Sequence, residues 1–205
     1  MPRPDPILLA TSNPAKQAKL RWLLTGLGLK LLTPVDLGVA IDTPEEEADH
    51  RAVAEAKAMA WSRAGGIAAL SSDGGLVIPA LGHRWDALRT GRFAGGEADD
   101  RLRLDRLLEL MARCHGDDRA ASWVEAVAIA DEGRVLASWQ GESPRGRIAE
   151  RYDPSRIIRG FWAFSVWQPP GTDKRYAELS PQEQEQADDH WSRLRAQVRA
   201  FFGAP

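Results

Sequence analysis

The sequence is poor in the features that mark secreted, membrane and polyanion-binding proteins. It has one cysteine, Cys114, in 205 residues, which excludes an intramolecular disulfide and fits a reducing compartment. No apolar run approaches the roughly 20 residues of a membrane helix, and the opening MPRPDP lacks the apolar core of a secretory signal. The formal net charge is -2, so no global basic field indicates nucleic-acid binding. We expect a cytoplasmic protein with no membrane or nucleic-acid partner.

Two common functional motifs are missing as well. No Gly-x4-Gly-Lys-Ser/Thr phosphate loop occurs anywhere in the chain. The histidines lie at positions 50, 83, 115 and 190, and none has a metal-binding spacing to another histidine or to Cys114. The adjacent pair Cys114-His115 is the one exception, and adjacent residues rarely chelate one ion together. A zinc site is therefore not expected.

Alternating strand and helix patterns predict an α/β fold with a mixed sheet, formed by a single domain of residues 1–205. A hairpin signal, Asp131-Glu132-Gly133, joins two long strand patterns. The predicted strands cover residues 7–10, 29–33, 67–71, 121–130, 134–140 and 161–167. The predicted helices cover residues 14–27, 45–64, 99–113 and 181–202.

The stretch ILLATSNPAKQAKLRWLL places a polar turn between an apolar strand and a helix. Thr11, Ser12 and Asn13 precede the helix, whose first N–H groups and dipole favour an anion. Lys16 in the first turn is unfavourable unless something negative is bound nearby. Phosphate binding is one interpretation; a simple Asn or Ser cap with a solvated lysine is the other, and the spacing alone favours the cap.

Two carboxylate-bearing stretches each allow a functional and a purely structural interpretation. ALSSDGGLVIPAL places Asp73 where it would hold Mg²⁺ or orient a water, or would simply bond to its own backbone in a Gly-Gly turn. The acidic run over residues 45–57 favours a solvated helix face.

The order of these signals resembles the inosine triphosphate pyrophosphatase family, which hydrolyses non-standard purine nucleoside triphosphates. No single motif is specific, but the ordered set spans roughly residues 7–202. The matching positions are Thr11, Asn13 and Lys16; Ala54, Lys57 and Ala58; Ser72-Asp73-Gly74-Gly75-Leu76; Gly91-Arg92-Phe93-Ala94-Gly95; GESPRGRI; Gly160-Phe161; and YAELSPQE.

The resemblance implies a fold and a reaction. The implied fold is an elongated mixed β-sheet flanked by helices, with two lobes around a nucleotide cleft, in a homodimer. Water attacks the α-phosphorus and releases pyrophosphate, with Mg²⁺ bridging phosphate oxygens. The implied catalytic residues are Asp73 and Lys57. The implied substrate-binding residues are Thr11, Ser12, Asn13, Lys16, Gly74, Arg92, Phe161, Trp162 and His190.

The chain departs from the family pattern at the metal site. The family glutamate that ligates the metal aligns with Ala52, and the first Asp of the family turn aligns with Ser72. Glu55 or Asp49 would replace the missing ligand from the same helix, with Glu55 preferred, so the expected metal ligands are Asp73 and Glu55.

The base pocket departs further. Phe164 stands where the family has an Asp that holds the nucleoside, and the family's basic residues near Gln184 and Trp191 are missing, although His190 is kept. Such losses predict an altered base preference. Trp162, Phe164 and Trp191 either stack a base or only fill the pocket.

Two alternatives stay open. A catalytically silent relative that binds nucleotide or another protein would explain the replaced metal and base residues. The septum-inhibitor-like pyrophosphatases share the opening, but their Ser-Pro-Arg-Arg is absent here.

Overall fold

The computed structural model describes residues 4–41, 48–187 and 190–204, and these form two compact units. The first unit comprises residues 1–73, 125–141 and 191–205, and the second comprises residues 74–124 and 142–190. This division does not test whether residues 1–205 form a single domain, so the single domain stays a prediction. In the described part of the chain, no helix has the length and apolar character that crossing a membrane would require.

The strands form a mixed sheet, as the sequence predicts. Their order is β2-β1-β3-β4-β6-β7, with β5 paired to β4. β1 runs parallel to β2 and β3, whereas β6 runs antiparallel to β4 and β7. The strands are β1 (Ile7–Leu9), β2 (Leu31–Leu32), β3 (Ala68–Val77), β4 (Ala120–Asp131), β5 (Arg134–Glu142), β6 (Gly146–Ile148) and β7 (Trp167–Gln168).

The helices begin and end at residues suited to those positions. Pro14 stands in the first turn of α1, where its missing N–H costs nothing. Asp49 caps α3, which ends at Gly66 with a φ of 64°. The α-helices are α1 (Pro14–Leu24), α2 (Pro34–Leu37), α3 (His50–Gly65), α4 (Asp100–Leu110), α5 (Pro181–Gln186) and α6 (His190–Phe201).

The core of the first unit is built from small side chains where α3 meets the sheet. Ala54 and Ala58 of α3 pack against Ala126, Ala128 and Ala130 of β4, and all five are fully buried. Alanine side chains let the helix backbone lie close to the sheet, which limits how far α3 can slide without losing contact.

The predicted hairpin between β4 and β5 is present. Glu132 and Gly133 have φ values of 47° and 72°, the left-handed values that a tight two-residue hairpin turn requires. Ser62 Oγ accepts a hydrogen bond of 3.0 Å from Gly133 N, and Arg63 donates to the Gly133 carbonyl. The end of α3 therefore fixes the hairpin turn.

In the second unit, one buried arginine links four backbone carbonyls. Arg119 is 4% exposed, and its guanidinium donates to the carbonyls of Met111, Cys114, Ile148 and Ala149 at 2.7–3.2 Å. Because a buried guanidinium needs acceptors and these carbonyls supply them, Arg119 ties the end of α4 and the loop after it to β6 and the residue that follows it.

Three predicted elements are wrong. Residues 161–167 are not one strand: a 3-10 helix over Trp162–Ser165 precedes β7. The closing helix is divided, since α5 ends at Gln186 and α6 begins at His190. The predicted Gly-Gly turn after Asp73 does not exist, because β3 continues to Val77.

Gly75 serves close packing instead of a turn. A Cβ at this position would lie 1.9 Å from the Ala87 carbonyl oxygen and 2.8 Å from Thr90 Oγ1. Thr90 Oγ1 also accepts a hydrogen bond of 3.1 Å from Leu76 N. A strand residue with any side chain would therefore displace the backbone at Ala87.

We expect Gly75→Ala to destabilise the protein by on the order of 2 kcal/mol, because overpacking against backbone cannot be relieved by a rotamer change. This would lower the thermal midpoint by roughly 5 °C for a chain of this size. Gly96→Ala is the matched control, since a Cβ at Gly96 meets nothing within 4 Å. Equal midpoints for the two variants would contradict the packing role of Gly75.

Candidate active site

The spacing of α3 and the alternation of β3 bring four residues to one place. His50 and Lys57 are seven positions apart on α3, almost two full turns, and so share one face. Ser71 and Asp73 alternate on β3 and therefore face the same side of the sheet. Ser71 Oγ donates a hydrogen bond of 2.5 Å to the Ala54 carbonyl of α3. This bond fixes the register of the helix against the strand.

Asp73 is the centre of the candidate site. It is 5% exposed, and each of its carboxylate oxygens has a separate partner. Lys57 Nζ lies 2.8 Å from Oδ1, and His50 Nδ1 lies 2.7 Å from Oδ2. We call Asp73, Lys57 and His50 the Asp73 cluster. The predicted catalytic residues Asp73 and Lys57 are thus brought together.

The sequence predictions missed His50. His50 has no metal-binding spacing to another histidine, so a metal motif does not single it out. Its separation of seven residues from Lys57 was the available signal, because it places both side chains on the same face of a helix.

The pKa of Asp73 is set by opposing effects. Burial raises the pKa, but the hydrogen bond from His50 and the charges of Lys16 and Lys57 together outweigh burial and hold the pKa below its usual value. Asp73 is therefore ionised. Lys16 of α1 acts on the same carboxylate, so two ammonium groups act on one carboxylate, and ammonium donors of this kind suit an anion.

The start of α1 is capped by its own residues. Asn13 Oδ1 accepts from the N–H groups of Ala15 and Lys16 at 2.9 and 3.3 Å, and Thr11 Oγ1 accepts from Asn13 N at 3.1 Å. These donors are thus used internally, as the cap interpretation holds. Ser12 is exposed, and its role toward phosphate, like those of Thr11, Asn13 and Lys16, stays a prediction.

The described residues do not fit a metal held by protein carboxylates. Asp73 already receives a donor on each oxygen, and Ala52 carries no ligand atom. Glu55 accepts from Ser138 of β5 and from Arg51 Nε, and Asp49 accepts from Ala52 N as a cap. Across residues 4–41, 48–187 and 190–204, no group of three His, Cys, Asp or Glu side chains is placed to hold an ion.

Part of the acidic run in the sequence lies outside this test. Glu45, Glu46 and Glu47 fall outside the described residues. The expectation that Asp73 and Glu55 ligate a metal therefore stays a prediction, although position 55 is two residues from Lys57 and so lies on a different face of α3.

In the second unit, the predicted base-binding aromatics are buried against other rings. Trp162 is 3% exposed, and its ring centroid lies 6.2 Å from that of Phe93 and 6.4 Å from that of Trp85. Phe164 stacks on Trp123 with centroids 4.3 Å apart. These contacts favour the interpretation in which the aromatics fill the interior of the unit.

The remaining predicted residues of the second unit have separate surroundings. Phe161 is 6% exposed and lies beside Phe164. His190 is fully buried, 6.3 Å from the ring centroid of Trp123. Arg92 is exposed at the end of a 3-10 helix over Ala87–Arg92. Gly74 continues β3 directly after Asp73. Their contact with a substrate stays a prediction.

Comparison with known proteins identifies relatives along nearly the whole chain. The profile of the Ham1 family matches residues 7–199. A dITP/XTP pyrophosphatase of Thermus thermophilus is 32% identical over 207 aligned positions, covering 97% of this chain and 93% of the relative. A dITP/XTP pyrophosphatase of Mycobacterium bovis is 33% identical, covering 87% and 86%.

Solved structures agree with this assignment. A HAM1 protein from Coxiella burnetii superposes with a TM-score of 0.80 at 26% identity, covering 97% of this chain and 98% of the other. A nucleoside-triphosphatase (dITP/XTP pyrophosphatase) from Mycobacterium abscessus gives 0.73 at 27% identity, covering 93% and 97%. The mixed α/β fold predicted from the sequence is thereby confirmed.

The lowered pKa of Asp73 predicts a pH-dependent stability. A carboxylate whose folded pKa is depressed stabilises the protein above its unfolded pKa, about 3.9, and the stabilisation is lost as the pH falls through the folded pKa. We expect Asp73→Asn to be less stable than the wild type by a constant amount above about pH 5. This difference should shrink toward pH 3.

Denaturant unfolding between pH 3 and pH 7 measures this difference. Asp117→Asn makes the same exchange at an exposed position and is the matched control. A stability difference between wild type and Asp73→Asn that is independent of pH over this range would contradict the assignment.

Proposed function

The chain belongs to the Ham1 family, and from this membership we propose that it is a nucleoside triphosphate pyrophosphatase. It would hydrolyse non-standard nucleoside triphosphates to the monophosphate and pyrophosphate. The relatives that match it are named dITP/XTP pyrophosphatases and are covered over most of their length, so the proposal concerns the whole chain.

The Asp73 cluster with Lys16 is the observation that carries the proposal. Two ammonium groups act on one buried, ionised carboxylate, so cationic donors from α1 and α3 stand together at this place. Such donors suit the oxygens of a triphosphate, because charge-assisted hydrogen bonds to phosphate oxygens are stronger than neutral ones. A neutral metabolite would form only the weaker kind of bond with them.

In the proposed reaction, Lys16, Lys57 and Asp73 each have a separate task. Lys16 and Lys57 contact phosphate oxygens and stabilise the negative charge that develops as water attacks the α-phosphorus. Asp73 keeps Lys57 in place and sets the position of the attacking water. The electron pair of the broken Pα–O bond leaves with pyrophosphate.

Mg²⁺ belongs to the proposal as a partner of the substrate. Magnesium is commonly bound through substrate phosphates and waters with few protein ligands, which is compatible with the described donors. When bound, it would neutralise phosphate charge. A cytoplasmic location and a homodimer are further parts of the proposal that come from the resemblance and the composition.

We propose that the base preference differs from that of enzymes selective for dITP and XTP. Phe164, which replaces the family aspartate, is 2% exposed and stacks on Trp123, so it offers no polar atom to a nucleoside. A site that has lost a hydrogen-bonding partner discriminates less among bases.

A catalytically silent relative is the second candidate, and one observation favours it. Both oxygens of Asp73 already have donors, and Ala52 has replaced the family metal ligand. Such a protein would bind nucleotides without turnover.

Pyrophosphate release across a panel of standard, deaminated and modified nucleoside triphosphates, with and without Mg²⁺, separates the two candidates. We expect release from a subset of the panel, and its dependence on Mg²⁺ tests the cofactor. Folded protein that binds a triphosphate but releases no pyrophosphate from any member would contradict the enzyme and support the silent relative.

We expect Lys16→Ala to weaken triphosphate binding by about tenfold more than monophosphate binding, because its ammonium group compensates the outer phosphates. Calorimetric titration with both nucleotides measures the ratio. Lys30→Ala, at an exposed position, is the matched control for loss of one positive charge. Equal losses for both nucleotides would argue against this role of Lys16.

A further inference from the structure

His50 is the member of the Asp73 cluster to which the proposed reaction gives no task. The residue is 6% exposed and begins α3. Its Nδ1 lies 2.7 Å from Asp73 Oδ2. Its Nε2 is buried and, within the described part of the chain, has no hydrogen-bond partner. One nitrogen is therefore committed to Asp73, and the other is left for a ligand.

The partner of Nδ1 decides the chemistry of Nε2. An ionised carboxylate only accepts hydrogen bonds, so Nδ1 carries the hydrogen in the bond to Asp73. In the neutral ring, Nε2 then presents a lone pair and acts as an acceptor. A buried acceptor without a donor is costly, and such groups in native proteins are usually satisfied by an ordered water or a ligand.

We infer that His50 Nε2 binds the attacking water and orients it, while Asp73 acts through His50 as a positioning residue. This inference rests on the proposed function and specifies which side chain of the site contacts the water. A water O–H donates to Nε2, which leaves an oxygen lone pair free to face the phosphorus. As the new O–P bond forms, that proton passes to Nε2, and the ring later releases it to solvent.

Other ligands suit Nε2 less well. A phosphate oxygen is an acceptor and repels an unprotonated ring nitrogen. A metal ion needs further ligands, and the described residues supply no group of three side chains that would hold one. Water is the small donor that satisfies Nε2 and is also the second substrate of the hydrolysis.

The remaining contacts of the cluster fit this arrangement. Lys57 Nζ holds Oδ1 of Asp73 at 2.8 Å while Oδ2 holds the imidazole. The carboxylate is thus fixed at both oxygens, and it fixes the tautomer and the orientation of the ring, as a carboxylate does in a hydrogen-bonded Asp–His pair.

His50→Asn separates positioning from water binding. The amide nitrogen of asparagine reaches the place of Nδ1 and preserves the bond to Asp73, but nothing occupies the place of Nε2. We expect kcat for pyrophosphate release to fall by about 100-fold or more, since a positioned group of this kind contributes 10²–10⁴-fold. KM should change by less than about threefold, because the phosphate contacts remain.

His50→Ala with added imidazole is the second arm. The small residue leaves room for the free base, and we expect imidazole to restore kcat by at least about tenfold in a saturable manner. His83→Asn is the matched control at an exposed position of the second unit and should keep wild-type kcat. Thermal unfolding of each variant shows that it is folded.

The outcomes separate this inference from the proposed function. Wild-type turnover together with near-wild-type kcat in His50→Asn would overturn the role of Nε2 and leave the function intact. Absence of pyrophosphate release from the wild type would overturn both.

A measurement on the unmodified protein is independent of variant folding. Nitrogen-15 NMR of the histidine rings should show His50 with a protonated Nδ1 and an unprotonated Nε2 at pH 8. The opposite tautomer would overturn the inference.

Discussion

The burial of one ionised carboxylate is the constraint on which this site depends. Asp73 lies within a strand, inside the protein, where an unpaired charge would cost several kcal/mol. Lys57 and His50 compensate it from two positions on one helix face, and Lys16 adds charge from a second helix. Because the carboxylate needs these partners, the cluster is formed without a ligand, and in the proposed function the lysines would need little reorganisation to contact phosphates.

Helix α3, which carries His50 and Lys57, is held in place by contacts that take no part in the proposed reaction. The bond from Ser71 to the Ala54 carbonyl sets its register, and the alanine packing against β4 sets its distance from the sheet. A shift of one residue along α3 would turn Lys57 by about 100° away from Asp73. The proposed phosphate-binding site therefore depends on small residues and one serine in the neighbouring layers.

The chain belongs to the Ham1 family, although residues around Asp73 differ from the family pattern. By the resemblance drawn from the sequence, the chain keeps the lysine and the aspartate of the family pattern, and Ala52 stands where that pattern has a glutamate. His50, on the same helix, now contacts the retained aspartate. The contact of an imidazole with this carboxylate, together with an alanine at position 52, is thus a local feature of this chain within the family fold.

The sequence by itself determined the fold class and the hairpin at residues 132–133, and through the family resemblance it named Lys57 and Asp73 together, because strand alternation, turn chemistry and family motifs are local or follow the order of the chain. It also identified Pro14 and Asn13 as the start of a helix. Only the tertiary structure decided that β3 passes straight through Gly74 and Gly75, since that depends on how closely the Ala87 carbonyl approaches. The partnership of His50 with Asp73 was likewise decided by packing, because 23 positions separate them along the chain and only the contact of α3 with β3 brings the imidazole to the carboxylate.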